Sequence, residues 1–115
     1  MSTKPLLTIS LLSSGRSKTI ERCLASLAPF REQLGAEVLV VDTDQENRSD
    51  VRQIIERYAD KIVRFEWIND FAAARNFALD ESSGQWHLYI DDDEWFVDAQ
   101  PIIDFLQSEI GRAHV

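Results

Sequence analysis

At 115 residues, with 44% hydrophobic and 28% charged side chains, the chain has the make-up of one small globular domain rather than a disordered tail. A net charge of -8, from 20 acidic against 12 basic residues, leaves no basic stripe for a phosphate backbone and sets nucleic acid aside as a partner. The single cysteine, Cys23, allows no internal disulfide, and the apolar run behind Met1–Pro5 is too short and interrupted for a signal peptide or a spanning helix; the chain reads as cytoplasmic, with a buried structural thiol.

In chain order, Leu6 to Leu12 is an apolar run closed by Ser13, Ser14 and Gly15, which predicts a buried strand and a turn. From Thr19 to Leu34, Ile20, Leu24, Leu27 and Phe30 recur at helical spacing and predict one amphipathic helix, ended or kinked near its last turn by Pro29. Glu37 to Val41 is a second buried strand that delivers Asp42 to its carboxyl end. Thr43 to Arg48 reads as a loop, and Ser49 or Asp50 as the cap of a helix running to about Tyr58. A third strand is predicted over Ile62 to Trp67. Asn69 or Asp70 then caps a helix through Leu79, which Ser82, Ser83 and Gly84 break before a fourth strand, Trp86 to Ile90.

Alternation of strands and helices at this spacing predicts one α/β domain: a Rossmann-like, mostly parallel sheet with helices on both faces and its ligand at the carboxyl ends of the strands. Ser13, Asp42 and Asp91 all fall at such ends. Asp98 and Pro101 open a last helix. Ile110 to Val115 matches the translation of a common sequencing-library adapter, so the expectation is a domain over 1–109 and a non-native tail over 110–115, with the helix stopping at the junction.

The chemistry concentrates in Asp91, Asp92, Asp93 and Glu94, acids that are costly to hold together without a positive partner. In extended geometry Asp91 and Asp93 point to one side and Asp92 to the other. Two carboxylates on one side suit Mg or Mn, leaving coordination positions for water and ligand phosphate. The bland alternative is a solvated acidic turn. Asp42 can accept from a base N–H or a ribose hydroxyl, or can simply form a turn with Thr43. Ala72, Ala73 and Ala74 before Arg75 allow a helix to approach closely while Arg75 offers a planar fork of donors; in isolation they would equally be helix formers beside a surface charge.

Asp42 after strand two, Asp-Phe-Ala-Ala-Ala-Arg-Asn at 70–76 and the acids at 91–94, in this order on a β-α alternation, resemble the nucleotide-sugar-binding, N-terminal half of family 2 glycosyltransferases with the GT-A fold. The resemblance runs to about Glu109. It implies transfer from a nucleotide-sugar donor, a UDP-sugar, to a glycan, lipid or protein acceptor, with Mg or Mn as cofactor. It implies Ser13, Asp42, Arg75 and Asp91 as nucleotide contacts, Asp42 on the base and Arg75 in the same pocket, and Asp91 and Asp93 at the metal that bridges the diphosphate.

Two departures stand out. Ser13-Ser14-Gly15-Arg16 replaces the acidic or Asn-Glu residues common after strand one, and Asp44-Gln45 replaces a Gly-Ser pair after the strand-two Asp-Thr. No residue qualifies as the general base of an inverting member, so the isolated chain is expected to bind without transferring. A nucleotidyltransferase would need a Gly-rich basic loop, of which Ser13 to Lys18 is a poor version; a phospho-receiver would need paired acids after strand one.

Overall fold

The computed structural model describes residues 5–15, 18–46 and 49–113. A four-stranded, all-parallel sheet of order β3-β2-β1-β4 is built from β1 (Leu7–Ser13), β2 (Glu37–Asp42), β3 (Lys61–Arg64) and β4 (Trp86–Tyr89). Its helices are α1 (Ile20–Ala25), α2 (Ala28–Leu34), α3 (Ser49–Tyr58), α4 (Phe71–Glu81) and α5 (Gln100–Ala113).

β1 and β2 occupy the middle of the sheet because their side chains are apolar or hydrogen-bonded on both faces, as a parallel strand with covered faces requires. Leu7, Ile9 and Leu11 of β1 and Val38 and Val40 of β2 face the main core with Ile20, Leu24, Leu27, Phe30, Val51, Ile55 and Ile103 from the helices. Phe30 is fully buried and meets Phe96 edge to face at 4.9 Å, a geometry that adds about 1 kcal/mol to area burial.

The other face meets α4, which touches β1 and β2. Ala74 and Ala78, one turn apart, are fully buried; their small side chains let this helix lie close to the strands. Buried polar groups on the same sheet are paired. The Thr8 hydroxyl donates to Glu37 at 2.9 Å and accepts from the Gly84 amide at 2.8 Å, and Ser10 Oγ meets His87 Nε2 at 2.7 Å. The parallel sheet with helices on both faces is therefore as the sequence predicts.

Several local expectations are corrected. The segment from Thr19 to Leu34 is two helices: Ser26 turns the chain, its hydroxyl donating to the Cys23 carbonyl at 2.6 Å. Pro29 opens α2 instead of ending a helix, since its missing N–H has no intrahelical acceptor to serve in a first turn. β3 is shorter than expected and stops at Arg64. Ser49 and Asp50 lie within α3, whose capping position falls outside the described residues, as do Arg16 and Ser17 of the loop after β1. α5 continues past Glu109 to Ala113, because a lone Gly111 among helix-compatible residues does not stop a helix already under way.

Candidate functional site

Parallel pairing fixes where the strands end. Ser13 stands opposite Asp42 in the β1–β2 register, and the Ile90 amide bonds the Ser10 carbonyl at 3.1 Å, so the residues after β4 emerge at the same sheet edge. A cleft of about 800 Å³ opens there. Its walls include Asp91, Asp92 and Asp93, Arg75 and Tyr89, the aromatic pair Trp67 and Phe71, and Asp44.

The acids form a tight turn rather than an extended segment, which corrects the expectation from alternation. The Glu94 amide donates to the Asp91 carbonyl at 3.0 Å, and the Asp91 amide donates back to Glu94 Oε1 at 3.0 Å. Asp favours such turns because its short acceptor competes for local amides. Asp91 and Asp93 are exposed and Asp92 is half-buried. Burial, then the negative charges of Asp93 and Asp91, push the Asp92 carboxyl up to about 6. Such crowding favours a cation at the turn.

Arg75 arrives from α4. Asp70 caps that helix, its side chain accepting from the Ala73 amide at 3.1 Å, and the preceding Asn69 takes a left-handed φ of 57°. The Trp67 indole N–H donates to Asn69 Oδ1 at 3.0 Å, and the Trp67 and Phe71 rings meet edge to face at 4.9 Å. From this start α4 carries Arg75 over the Tyr89 ring, 4.5 Å from its centroid. Burial raises the Tyr89 phenol; the Arg75 guanidinium opposes the shift and the Asp91 carboxylate adds to it, so Tyr89 ties the arginine wall to the acidic wall.

Ser13 and Asp42 reach the same edge but line a smaller neighbouring pocket of about 240 Å³, which Asp44 shares with the large cleft. Asp42 is engaged by Arg52 at 3.2 Å and Arg64 at 3.4 Å, and its Oδ1 accepts from the Asp44 amide at 2.9 Å. Asp44 is buried, its Oδ1 accepting from the Glu46 amide at 2.8 Å while its carbonyl accepts from Arg64. The structure thus gathers Arg75, Asp91 and Asp93 around one cleft and sets Ser13 and Asp42 beside it.

Tyr89, Trp67, Phe71 and Asp44 were not among the sequence candidates. The signal for Tyr89 was present: it alternates with His87 in β4 on the face of Thr8 and Ser10. Phe71 is 62% exposed, a cost that an aromatic at a ligand cleft can recover. Among the described residues no three metal-ligating side chains converge into a cage. The exposed Asp91 and Asp93 carboxylates on the turn are hard-oxygen donors, of the kind that divalent cations such as Mg and Mn prefer.

A four-stranded parallel sheet covered by helices in this order has the architecture of the N-terminal part of a GT-A glycosyltransferase. Residues 13–109 match the sequence model of Glycosyl transferase family 2, and the chain belongs to that family. A TPR repeat-containing protein of Synechococcus elongatus is 31% identical over 86 residues, which are 75% of this chain and 20% of that protein. S. aureus TarS 1-349 superposes with a TM-score of 0.71 at 18% identity, over 90% of this chain and 32% of that one. Its complex with UDP-GlcNAc gives 0.71 at 18% over 90% and 31%, and its complex with UDP gives 0.67 at 21% over 87% and 32%. At such identity the likeness to TarS shows the fold. The chain spans about a fifth of the curated relative and a third of TarS 1-349. Among the described residues no helix is long and apolar enough to cross a membrane.

Proposed function

We propose that the chain is the donor-binding part of a glycosyltransferase that takes a UDP-sugar with Mg or Mn and delivers the sugar to a glycan, lipid or protein acceptor. The observation that carries this reading is the single cleft walled by the acidic turn on one side and Arg75 on the other. Family membership and the likeness to a TarS structure holding UDP-GlcNAc support the choice of donor.

In this reading Asp91 and Asp93 hold the cation, and Asp91 also touches the nucleotide. Arg75, held by Tyr89, presents its planar donors to the nucleotide. Asp42 and Ser13 serve the nucleotide from the adjoining pocket, where Asp42 meets the base. When bound, the cation supplies Lewis-acid stabilisation of the charge that builds on the diphosphate leaving group. The chain's own residues bind and orient the donor. Glu94, the acid left over beside the cluster, directly follows the proposed metal ligands and is tied to their turn through the Asp91 amide instead of standing on a separate acceptor-side segment, so for the isolated chain we propose donor binding without transfer.

Calorimetric titration with UDP and Mn tests the assignment. Asp93→Ala should abolish Mn-dependent binding, whereas Asp92→Ala, which removes the half-buried acid, should retain most of it. Equal losses would refute the choice of ligands, and no binding by the wild-type chain would refute the donor reading.

A further inference from the structure

The acidic turn is held from behind by one helix. Thr19 stands at the N-cap position of α1, where a threonine hydroxyl ordinarily accepts from an amide of the first helical turn. It makes no such bond. Its Oγ1 donates instead to the Asp92 carbonyl, 73 residues away in sequence, at 3.1 Å.

The rest of that helix face points the same way. Cys23 Sγ lies 3.5 Å from the Asp91 carbonyl as a weak donor, and Ser26 Oγ accepts from the Phe96 amide at 3.1 Å. The Arg22 guanidinium covers the Trp95 ring at 4.2 Å. Positions 19, 22, 23 and 26 share one side of a helix by their three- and four-residue spacing. Together they contact the backbone or ring of Asp91, Asp92, Trp95 and Phe96, leaving the Asp91 and Asp93 carboxylates exposed on the cleft side.

We infer that Thr19, backed by this face of α1, is a positioning residue for the donor site: by holding the Asp92 carbonyl it fixes the turn that presents Asp91 and Asp93. The inference rests on the donor-site reading above. A turn carrying three adjacent carboxylates repels itself, and peptide carbonyls anchored from the core restrict how far it can open without a cation. The carboxylates are then oriented before the ligand arrives, as outer hydrogen bonds orient metal ligands elsewhere.

The test compares Thr19→Val, which keeps the shape and removes the donor, with Thr19→Ser, which restores it. Amide hydrogen exchange of the ligand-free chain reads the turn directly through the Glu94 amide, which closes it. Thr19→Val should speed exchange at Glu94 about fivefold while the amides of β2 stay as in wild type, and Thr19→Ser should return it towards wild type. Manganese affinity in the presence of UDP, read from the free-ion electron paramagnetic resonance signal, should fall about tenfold in the valine variant and recover in the serine variant. Unchanged Glu94 exchange in Thr19→Val overturns the inference, and so does faster exchange with undiminished Mn affinity. A wild-type chain that binds no UDP with Mn overturns the donor reading and the positioning role together, whereas failure of the variant arm alone leaves the donor reading standing.

Discussion

Gly84→Ala tests how the sheet delivers the acidic turn. Gly84 lies two residues before β4, with its amide bonded to the Thr8 hydroxyl at 2.8 Å. A Cβ there would press on the Thr8 amide nitrogen and sit 2.7 Å from the Leu7 carbonyl carbon, both central-strand backbone that cannot rotate away, and 2.8 Å from the Thr8 Oγ1 side-chain oxygen. Overpacking of this kind costs about 1–3 kcal/mol, and loss of the Thr8 hydrogen bond adds about 1 kcal/mol, for a sum of about 2–4 kcal/mol. Gly35→Ala is the control. Gly35 has a left-handed φ of 62° but open space around it, so only backbone strain of about 1 kcal/mol applies. In urea unfolding followed by circular dichroism, Gly84→Ala should lower the midpoint by about 1–2 M and the control by well under that. Because β4 is held to β1 just beyond this point, UDP affinity should fall with the midpoint in Gly84→Ala alone. A Gly84→Ala midpoint no lower than that of Gly35→Ala would refute the reasoning.

Arg75→Lys should weaken UDP binding measurably by calorimetry, because an ammonium cannot reproduce the planar fork stacked on Tyr89; wild-type affinity would reduce Arg75 to a surface residue. Asp92 binds its proton more tightly folded than unfolded, at about 6 against an ordinary 3.8, so the stability it contributes is full below 3.8 and lost as pH rises through about 6. Metal-free Asp92→Asn should therefore melt higher than wild type above pH 6, with the gap closing below 3.8; parallel melting profiles would contradict the burial. Burial, and then the charges of Asp92, Glu94, Asp93 and Asp91, push the Cys23 thiol up to about 12, so iodoacetamide should leave Cys23 intact in the folded chain and modify it on unfolding, as mass spectrometry would show.

The sequence by itself determined the alternation of elements and their order, because buried parallel strands and amphipathic helices carry apolar patterns that survive without a partner in view. The strands expected over Leu6–Leu12 and Glu37–Val41 stand at Leu7–Ser13 and Glu37–Asp42 for that reason. It also placed Ser13, Asp42 and Asp91 at one edge, since residues that follow parallel strands must emerge together. Tertiary structure alone decided how those residues divide. Asp42 is paired with Arg52 and Arg64 beside a side pocket because two cations from α3 and β3 reach it, a pairing between elements that no local pattern encodes. The acids at 91–94 close into a turn because Glu94 can reach back to the Asp91 amide and α1 anchors the carbonyls from behind, whereas alternation along an extended strand holds only while the strand has a neighbour to pair with. Pro29 suits a first helical turn as well as a helix stop, and tertiary packing decided for the first turn, with Phe30 of the helix it opens buried against Phe96.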